Sequence, residues 1–320
     1  MQHFTSIRDV ANPGWLVNEA LWLKEEPFAY SSLGRELTLG MIFLNPSLRT
    51  RLSTQRAAEN LGMNVMVMNY GQDSWGLETR DGVVMDGGAG EHIREAARVI
   101  GQYCDIIGLR TFPSLNDREE DKKDLIINMF RELSGRPIVS LESSTLHPLQ
   151  SLADMVTIRE HWQNKDKKPK VALTWAPHIK DLPQSVPNSF AQWATHMDEF
   201  DFVIAHPEGY DLDPEFTGGA RVTHDQDEAL SCADFVYAKS WSSYGGAVQP
   251  REELRHWQID QKKMKLTNPA RFMHCLPVRR NLVVSDEVMD SEQAIVIEQA
   301  KNRECSAQAV LKQLVEQQRS

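Results

Sequence analysis

Short apolar, β-rich runs alternate with segments of helical periodicity along nearly the whole chain, and this alternation restricts the fold more than any other feature. LTLGMIFL (37–44), NVMVMNY (64–70), DIIGLRT and PIVSLES read as strands. Between them lie a helix from Ser47 to Gly62, the helical KDLIINMFREL, and EHIREAARVIGQYC, where Ile93, Ala96, Ala97 and Ile100 recur at i, i+3, i+4 and i+7. A second series of strands, KVALTWA, FDFVIAH, DFVYAKSW and RFMHCLP, follows a long helix that begins near His147. Strands separated by helices in this way pair in parallel with crossover connections, so the expected fold is α/β, two doubly wound parallel-sheet domains in succession. The 320 residues exceed what one hydrophobic core usually supports, which agrees with two domains. The helix at 147–162 and the polar NKDKKPK mark the join, giving domains at 1–150 and 151–303. The amphipathic ECSAQAVLKQLVEQQ is expected to form a C-terminal helix (304–320) that packs back onto the first domain.

Composition excludes several classes of partner. A formal net charge of −10 argues against non-specific binding to nucleic acid or anionic membrane, because those partners need a basic surface. Cys104, Cys232, Cys275 and Cys305 are scattered without a CxxC pair, so reduced thiols and a cytoplasmic location are expected rather than a disulfide framework or a zinc knot. The N-terminal MQHFTSIRDVANPGW has no apolar core of signal-peptide length, and no stretch approaches a membrane span.

In open parallel sheets, ligands sit beyond the carboxyl ends of the strands. Four unusual stretches fall at such ends, NPSLRTR, GLRTF, ESSTLHPLQ and HCLPVRR, and one composite site is expected from them. Ser47, Arg49, Thr50 and Arg51 bring hydroxyls and guanidinium groups to the mouth of a helix, an arrangement for holding a multiply charged anion. The plain alternative is a helix cap with solvated arginines. Arg110 ends a strand and by itself would be a surface charge. His147 and Gln150, in HPLQ, either cap and pack or, beside a bound anion, hold a carbonyl oxygen. Cys275 could be a nucleophile, but HCLP gives it no dedicated base and no sequence-level triad, so thiol chemistry is not expected. There is no Walker loop, no GxGxxG after a strand, no HExxH and no close His/Cys cluster, hence no signature of a nucleotide or a metal.

Taken in order, SLRTR, HPLQ and HCLP resemble the transcarbamylase family, whose usual forms are S-T-R-T-R, H-P-x-Q and, in the ornithine branch, H-C-L-P. Leu48 departs from the first of these. The resemblance implies that the anion is carbamoyl phosphate, cradled by Ser47, Leu48, Arg49 and Thr50 with Arg110 in support. It further implies that His147 and Gln150 hold the carbamoyl oxygen and amide, that the Cys275–Leu276 backbone accepts from the carbamoyl nitrogen, and that Arg303 lies nearby. The reaction would be attack of a neutral amine on the carbamoyl carbon with loss of phosphate. Such chemistry rests on orientation and charge stabilisation and needs neither metal nor organic cofactor.

The second substrate is read from the second half. Ornithine transcarbamylases carry a D-V-W-x-S-M-G segment whose Asp pairs with the substrate's α-ammonium. In DFVYAKSWSSYGG, Lys239 stands at that place and Tyr244 where Met is usual. A cation there repels a free ammonium, so an N-acylated ornithine is expected; the plain alternative is an exposed Lys at a strand end. KSW, TWAPH and HCLPVRRN are similar to the N-acetyl- and N-succinylornithine transcarbamylases. That similarity implies that Glu142, His178, Lys239 and Arg279 contact the acylated amino acid. It also implies a homotrimer in which Trp75 reaches into a neighbouring subunit's site, and a knotted crossover in the second domain. The crossover's proline-rich loop is matched by APHIKDLPQSVPNSF, with Ile179 and Asp181 where relatives can have proline; Val283 stands where the acetyl branch can carry a modified lysine. Just before EH the acetyl branch has Glu and the succinyl branch Pro, whereas this chain has Gly90. Glycine removes the bulk and charge of glutamate, so the expected acceptor is N-succinyl-L-ornithine, its terminal carboxylate facing Lys239 and Arg279. N-acetyl-L-ornithine is the alternative. Lys239 opposes a free-ornithine enzyme, and the presence of Arg49, His147, Gln150 and Arg279 together opposes a silent carbamoyl-phosphate binder.

Overall fold

A computed structural model describes residues 1–71, 73–164, 166–244 and 252–319. Of the stretches singled out above, Lys165, Gly245, Gly246 and Ser320 lie outside the described residues. The chain divides into two compact units, one of Met1–Ser114, Glu119–Leu149 and Arg303–Ser320, the other of Leu115–Arg118 and Gln150–Asn302.

In the first unit, strands β1 (Thr38–Phe43) and β2 (Asn64–Asn69) belong to a four-stranded sheet, β3 (Gly76–Glu78) and β4 (Ala89–His92) form a separate two-stranded pair, and β5 (Ile106–Arg110) and β6 (Ile138–Glu142) complete the larger sheet in the order β2-β1-β5-β6. Every pairing is parallel. The central strands are buried along their length, as strands covered on both faces must be, which explains their unbroken apolar runs. Ile93, Ala97 and Ile100 of the helix Ile93–Tyr103 pack with Ile127 and Phe130 of the helix Leu125–Leu133 over Ile107 and Leu109, so the sequence periodicity is the core face. Gly101 permits that approach: a Cβ there would sit 2.1 Å from the Ser134 carbonyl oxygen. The register sets Phe43 beside Arg110 and Arg110 beside Glu142, bringing these strand ends into one row.

The last helix, Val296–Arg319, begins well before the expected 304. Its residues up to Asn302 count with the second unit and those from Arg303 with the first. The expected single apolar face is also too simple, because Ser306, Gln308 and Lys312 are buried along with Ala309, Leu311 and Leu314. Polar positions can be buried here because partners meet them: Gln308 accepts from Asn60 Nδ2 and donates to the Pro27 carbonyl, and Lys312 pairs with Glu19 at 3.0 Å.

The second unit holds β7 (Lys170–Trp175), β8 (Asp201–Ala205), β9 (Arg221–Thr223), β10 (Phe235–Lys239) and β11 (Arg271–Met273) in one sheet, order β11-β10-β7-β8-β9. It too is wholly parallel, so the α/β expectation holds in both units. No described helix is long and apolar enough to cross a membrane.

Candidate functional site

The helix that follows β1 runs Arg49–Asn60, with Leu48 at its cap position and no side chain capping it. Ser47 therefore lies one residue outside, and the plain reading of SLRTR as a side-chain cap is removed. The first-turn N–H groups, which a cap would otherwise occupy, face outward from a helix N-terminus whose dipole favours an anion. Ser47 and Arg49 are half-buried, Leu48 and Arg51 exposed. Thr50 is buried, and its Oγ1 accepts from Arg303 Nη2 at 2.6 Å, so the structure joins these two expected site residues.

At the ends of β5 and β6, buried Arg110 forms an ion pair with buried Glu142 and stands over the Phe112 ring at 5.7 Å. The same Glu142 oxygen lies 3.8 Å from His147 Nε2. Glu142, expected on the acceptor amino acid, is thus held between two residues expected on carbamoyl phosphate, where its charge fixes the guanidinium. His147 is placed by Asp124, which sequence reasoning missed. Asp124 opens the helix Leu125–Leu133 in the left-handed conformation and accepts from Ser143 Oγ, the Ser144 N–H and Thr145 Oγ1, clamping the loop that leads to His147. Burial pushes the Asp124 carboxyl above the usual range in spite of these bonds. The signal was available as an Asp before an apolar helix and a run of hydroxyls in ESSTL, but nothing local pairs the two.

In the second unit, Gln150 lies in the first turn of the helix Pro148–His161 and donates its Nε2 to Asp154 Oδ1 at 2.8 Å. Gln299 Nε2 donates to the same oxygen at 2.7 Å, and its Oε1 accepts the His274 N–H at 2.9 Å. His274 Nδ1 accepts the Leu276 N–H at 2.9 Å, which holds the Cys275–Leu276 turn. Asp154, Gln299 and His274 were not recognised from sequence; the one local signal is the i, i+4 spacing of Gln150 and Asp154, which suits a side-chain contact on a helix. Lys239, at the end of β10, is buried; its ammonium donates to the Ser240 carbonyl at 3.0 Å and pairs with no carboxylate among the described residues. The alternative of an exposed lysine is thereby excluded. Arg279 Nε donates to His178 Nε2 at 3.1 Å, uniting two residues expected on the acylated amino acid. His178 Nδ1 in turn lies 3.1 Å from both the carbonyl oxygen and the N–H nitrogen of Lys180.

Trp75 and Gly90 meet in the small β3–β4 pair. The register shifts there so that Gly76 faces Ala89 and Leu77 faces Glu91, leaving Gly90 as the extra residue of a bulge. The Trp75 ring lies on it: a Cβ at position 90 would come within 2.7 Å of the indole Cγ. Trp75 Nε1 donates to Glu91 Oε2 at 3.0 Å, and the residue is 58% exposed. Among the described residues, no group of three His, Cys, Asp or Glu could hold a metal ion.

The family model for the carbamoyl-P binding domain of aspartate/ornithine carbamoyltransferases matches residues 2–160, and that for the Asp/Orn binding domain matches residues 170–314. The chain is 52% identical over 318 residues to N-succinylornithine carbamoyltransferase of Bacteroides thetaiotaomicron, covering 99% of each chain. It is 37% identical over 340 positions to N-acetylornithine carbamoyltransferase of Xanthomonas campestris pv. campestris, covering 100% of this chain and 99% of that one. A crystal structure of acetylornithine transcarbamylase complexed with acetylcitrulline matches with a TM-score of 0.91 at 36% identity, over 98% of this chain and 99% of that chain. A glutamate-to-proline variant of N-acetyl-L-ornithine transcarbamylase, complexed with carbamyl phosphate and N-succinyl-L-norvaline, matches with a TM-score of 0.92 at 36% identity, over 98% of this chain and 100% of that chain.

Proposed function

From the premise that this chain belongs to the aspartate/ornithine carbamoyltransferase family, we propose that it transfers the carbamoyl group of carbamoyl phosphate to the side-chain amine of N-succinyl-L-ornithine, giving N-succinyl-L-citrulline and phosphate in arginine synthesis. The observation that carries the choice of acceptor is the 52% identity, over 99% of both chains, to a protein named for N-succinylornithine. The relatives named for N-acetylornithine reach 37%.

In this reading the first unit binds carbamoyl phosphate and the second the acylated ornithine. The phosphate sits at the uncapped opening of the helix Arg49–Asn60 against Ser47, Arg49 and Thr50, with Arg110 supplying a second cation. His147 donates to the carbamoyl oxygen, where negative charge builds in the tetrahedral intermediate. Gln150 and the Cys275 and Leu276 carbonyls accept from the carbamoyl nitrogen. The amine lone pair forms the new C–N bond, the C–O bond to phosphate breaks, and the amine's surplus proton leaves with the phosphate. Lys239, without a carboxylate partner among the described residues, and the Arg279–His178 pair receive the terminal carboxylate of the succinyl group.

Trp75 completes the site of a neighbouring subunit in a homotrimer. Because its ring rests on Gly90 within one chain, residue 90 is read by the same site as Trp75. A knotted crossover in the second domain and a cytoplasmic location belong to the same reading, and the net charge of −10 supports small-molecule partners over nucleic acid or membrane. The test is citrulline formation from carbamoyl phosphate with ornithine, N-acetyl-L-ornithine and N-succinyl-L-ornithine side by side. The succinyl compound should give the highest kcat/KM; a preference for the acetyl compound would overturn the choice of acceptor.

A further inference from the structure

Gln150, Asp154, Gln299 and His274 form a continuous buried chain of hydrogen bonds in the second unit, the first three with no exposed surface at all. We infer that Asp154 is a positioning residue for the carbamoyl group: one carboxyl oxygen sets the orientation of the Gln150 amide and, through Gln299 and His274, the direction of the Cys275 carbonyl. The inference rests on the carbamoyl-transfer reading and deepens it.

Asp154 Oδ1 acts as an acceptor towards both neighbours, so each amide must turn its NH2 towards it. The Gln150 carbonyl oxygen then points the opposite way, as an acceptor for one carbamoyl N–H. Without Asp154 the amide could rotate by half a turn and present a donor to a donor. Gln299, fixed in the same sense, offers its carbonyl to the His274 N–H and so anchors the strand end after Met273. His274 Nδ1 in turn accepts the Leu276 N–H, which places the ring proton on Nε2 and ties down a residue whose φ is +54°. The peptide between Cys275 and Leu276 is planar and trans, so with its N–H turned in to His274 its carbonyl oxygen points away from the ring. A carbamoyl NH2 group has two N–H bonds to satisfy. Two of the acceptors that meet them, Gln150 and the Cys275 carbonyl, are aimed by the same buried carboxyl.

Tyr237 closes the assembly from β10. It is fully buried beside Asp154 and Cys275, and burial first, then the Asp154 charge, keeps its hydroxyl protonated. A polar cluster this deep is costly unless its members are fixed by one another. Plain structural filler would not require the amides to face one way.

The experiment compares Asp154→Asn, Asp154→Leu and Gln150→Leu with the double variant Asp154→Leu/Gln150→Leu, in the full chain, with melting curves to establish folding. Asp154→Asn keeps an oxygen that accepts both amides and should hold kcat within about threefold of wild type. Asp154→Leu should lower kcat by about 100-fold while leaving KM for the acylornithine nearly unchanged. In the Gln150→Leu background the same change should cost less than about tenfold, because only the Gln299 arm is left to lose. Gln299→Met severs that arm from a different helix and should lower kcat by about tenfold, which decides the matter if Asp154→Leu does not fold. Wild-type kcat in a folded Asp154→Leu or Gln299→Met protein, or equal losses in the two Gln150 backgrounds, would overturn the positioning role. A wild-type protein with no turnover on any acceptor would instead overturn the proposed function on which it stands.

Discussion

Thr50 is one letter of SLRTR, yet its hydroxyl is committed to Arg303, a guanidinium 253 residues further along the chain. Thr50→Val keeps the shape and deletes the acceptor, leaving a buried charged donor short of a partner at a cost of about 1–3 kcal/mol. Thermal melts should show that loss, KM for carbamoyl phosphate should rise, and Thr50→Ser should restore both. Gly90 poses a sharper case. Sequence reasoning treated it as an absence of bulk and charge, but the structure shows the space already filled by the Trp75 ring, so even alanine must displace the indole. Gly90→Ala should therefore shift the tryptophan emission and lower kcat/KM for N-succinyl-L-ornithine by about tenfold, and Gly90→Glu should move the preference towards the acetyl compound. If Gly90→Ala leaves both emission and kinetics untouched, the ring does not set the pocket. At this scale the motif residues were legible because their types are unusual where they stand. Asp124, Asp154 and Gln299 were not, because each acts on a residue that only the fold brings near.

Among the elements, the long strands and the helices between them were legible because burial on both faces forces unbroken apolar runs. β3, β4 and β9 were not: they are short and glycine-bearing or polar, β3 and β4 pairing only with each other and β9 lying at the edge of its sheet. The start of the last helix was missed for a related reason, since polar residues buried against partners blur the apolar stripe. The approach of the helices Ile93–Tyr103 and Leu125–Leu133 over Gly101 yields a clear expectation. Gly101→Ala puts a methyl into the Ser134 carbonyl and should destabilise the protein by roughly 1–3 kcal/mol, read as a lowered melting temperature with unchanged KM values. At the end of β8, His206 is buried, with Nδ1 on the Pro207 carbonyl and its ring 5.0 Å from His224. Burial holds its pKa below the ordinary 6.5, against the smaller opposing pull of the Pro207 bond and Asp211. The unfolded chain therefore takes up this proton first, and stability present above about 6.5 is lost as the pH falls towards the folded-state value. The melting temperature should drop between pH 7.5 and pH 5.5, and the drop should be smaller in His206→Asn, whose amide can keep the bond to the Pro207 carbonyl. An equally steep loss in that variant would assign the acid sensitivity to other groups.

For the molecule as a whole, two successive α/β units and membership of the family could be read from alternation and from three short motifs in order, because both are properties of local sequence. What one subunit contributes to another has no such local mark. Trp75 is 58% exposed in its own chain, pinned to Glu91 and resting on Gly90, a rigid aromatic surface suited to covering a neighbour's substrate. If it does so, the Arg279 and the Trp75 of one active site come from different chains, and two inactive variants should complement each other. Trp75→Ala subunits retain Arg279, and Arg279→Ala subunits retain Trp75. With equal amounts and free exchange, a site has neither lesion when a Trp75→Ala subunit meets an Arg279→Ala neighbour on the correct side, which is about one site in four in a cyclic trimer. Activity recovered on mixing should therefore approach about a quarter of the wild-type value, appearing only after subunits have been dissociated and allowed to reassemble. Because Gly90 shares the corner with Trp75, Gly90→Glu should complement Arg279→Ala for the succinyl substrate in the same way. A chain carrying both Trp75→Ala and Arg279→Ala supplies neither group and should not rescue either single variant. Mixed trimers verified by tagged subunits but lacking activity would place Trp75 in the site of its own chain.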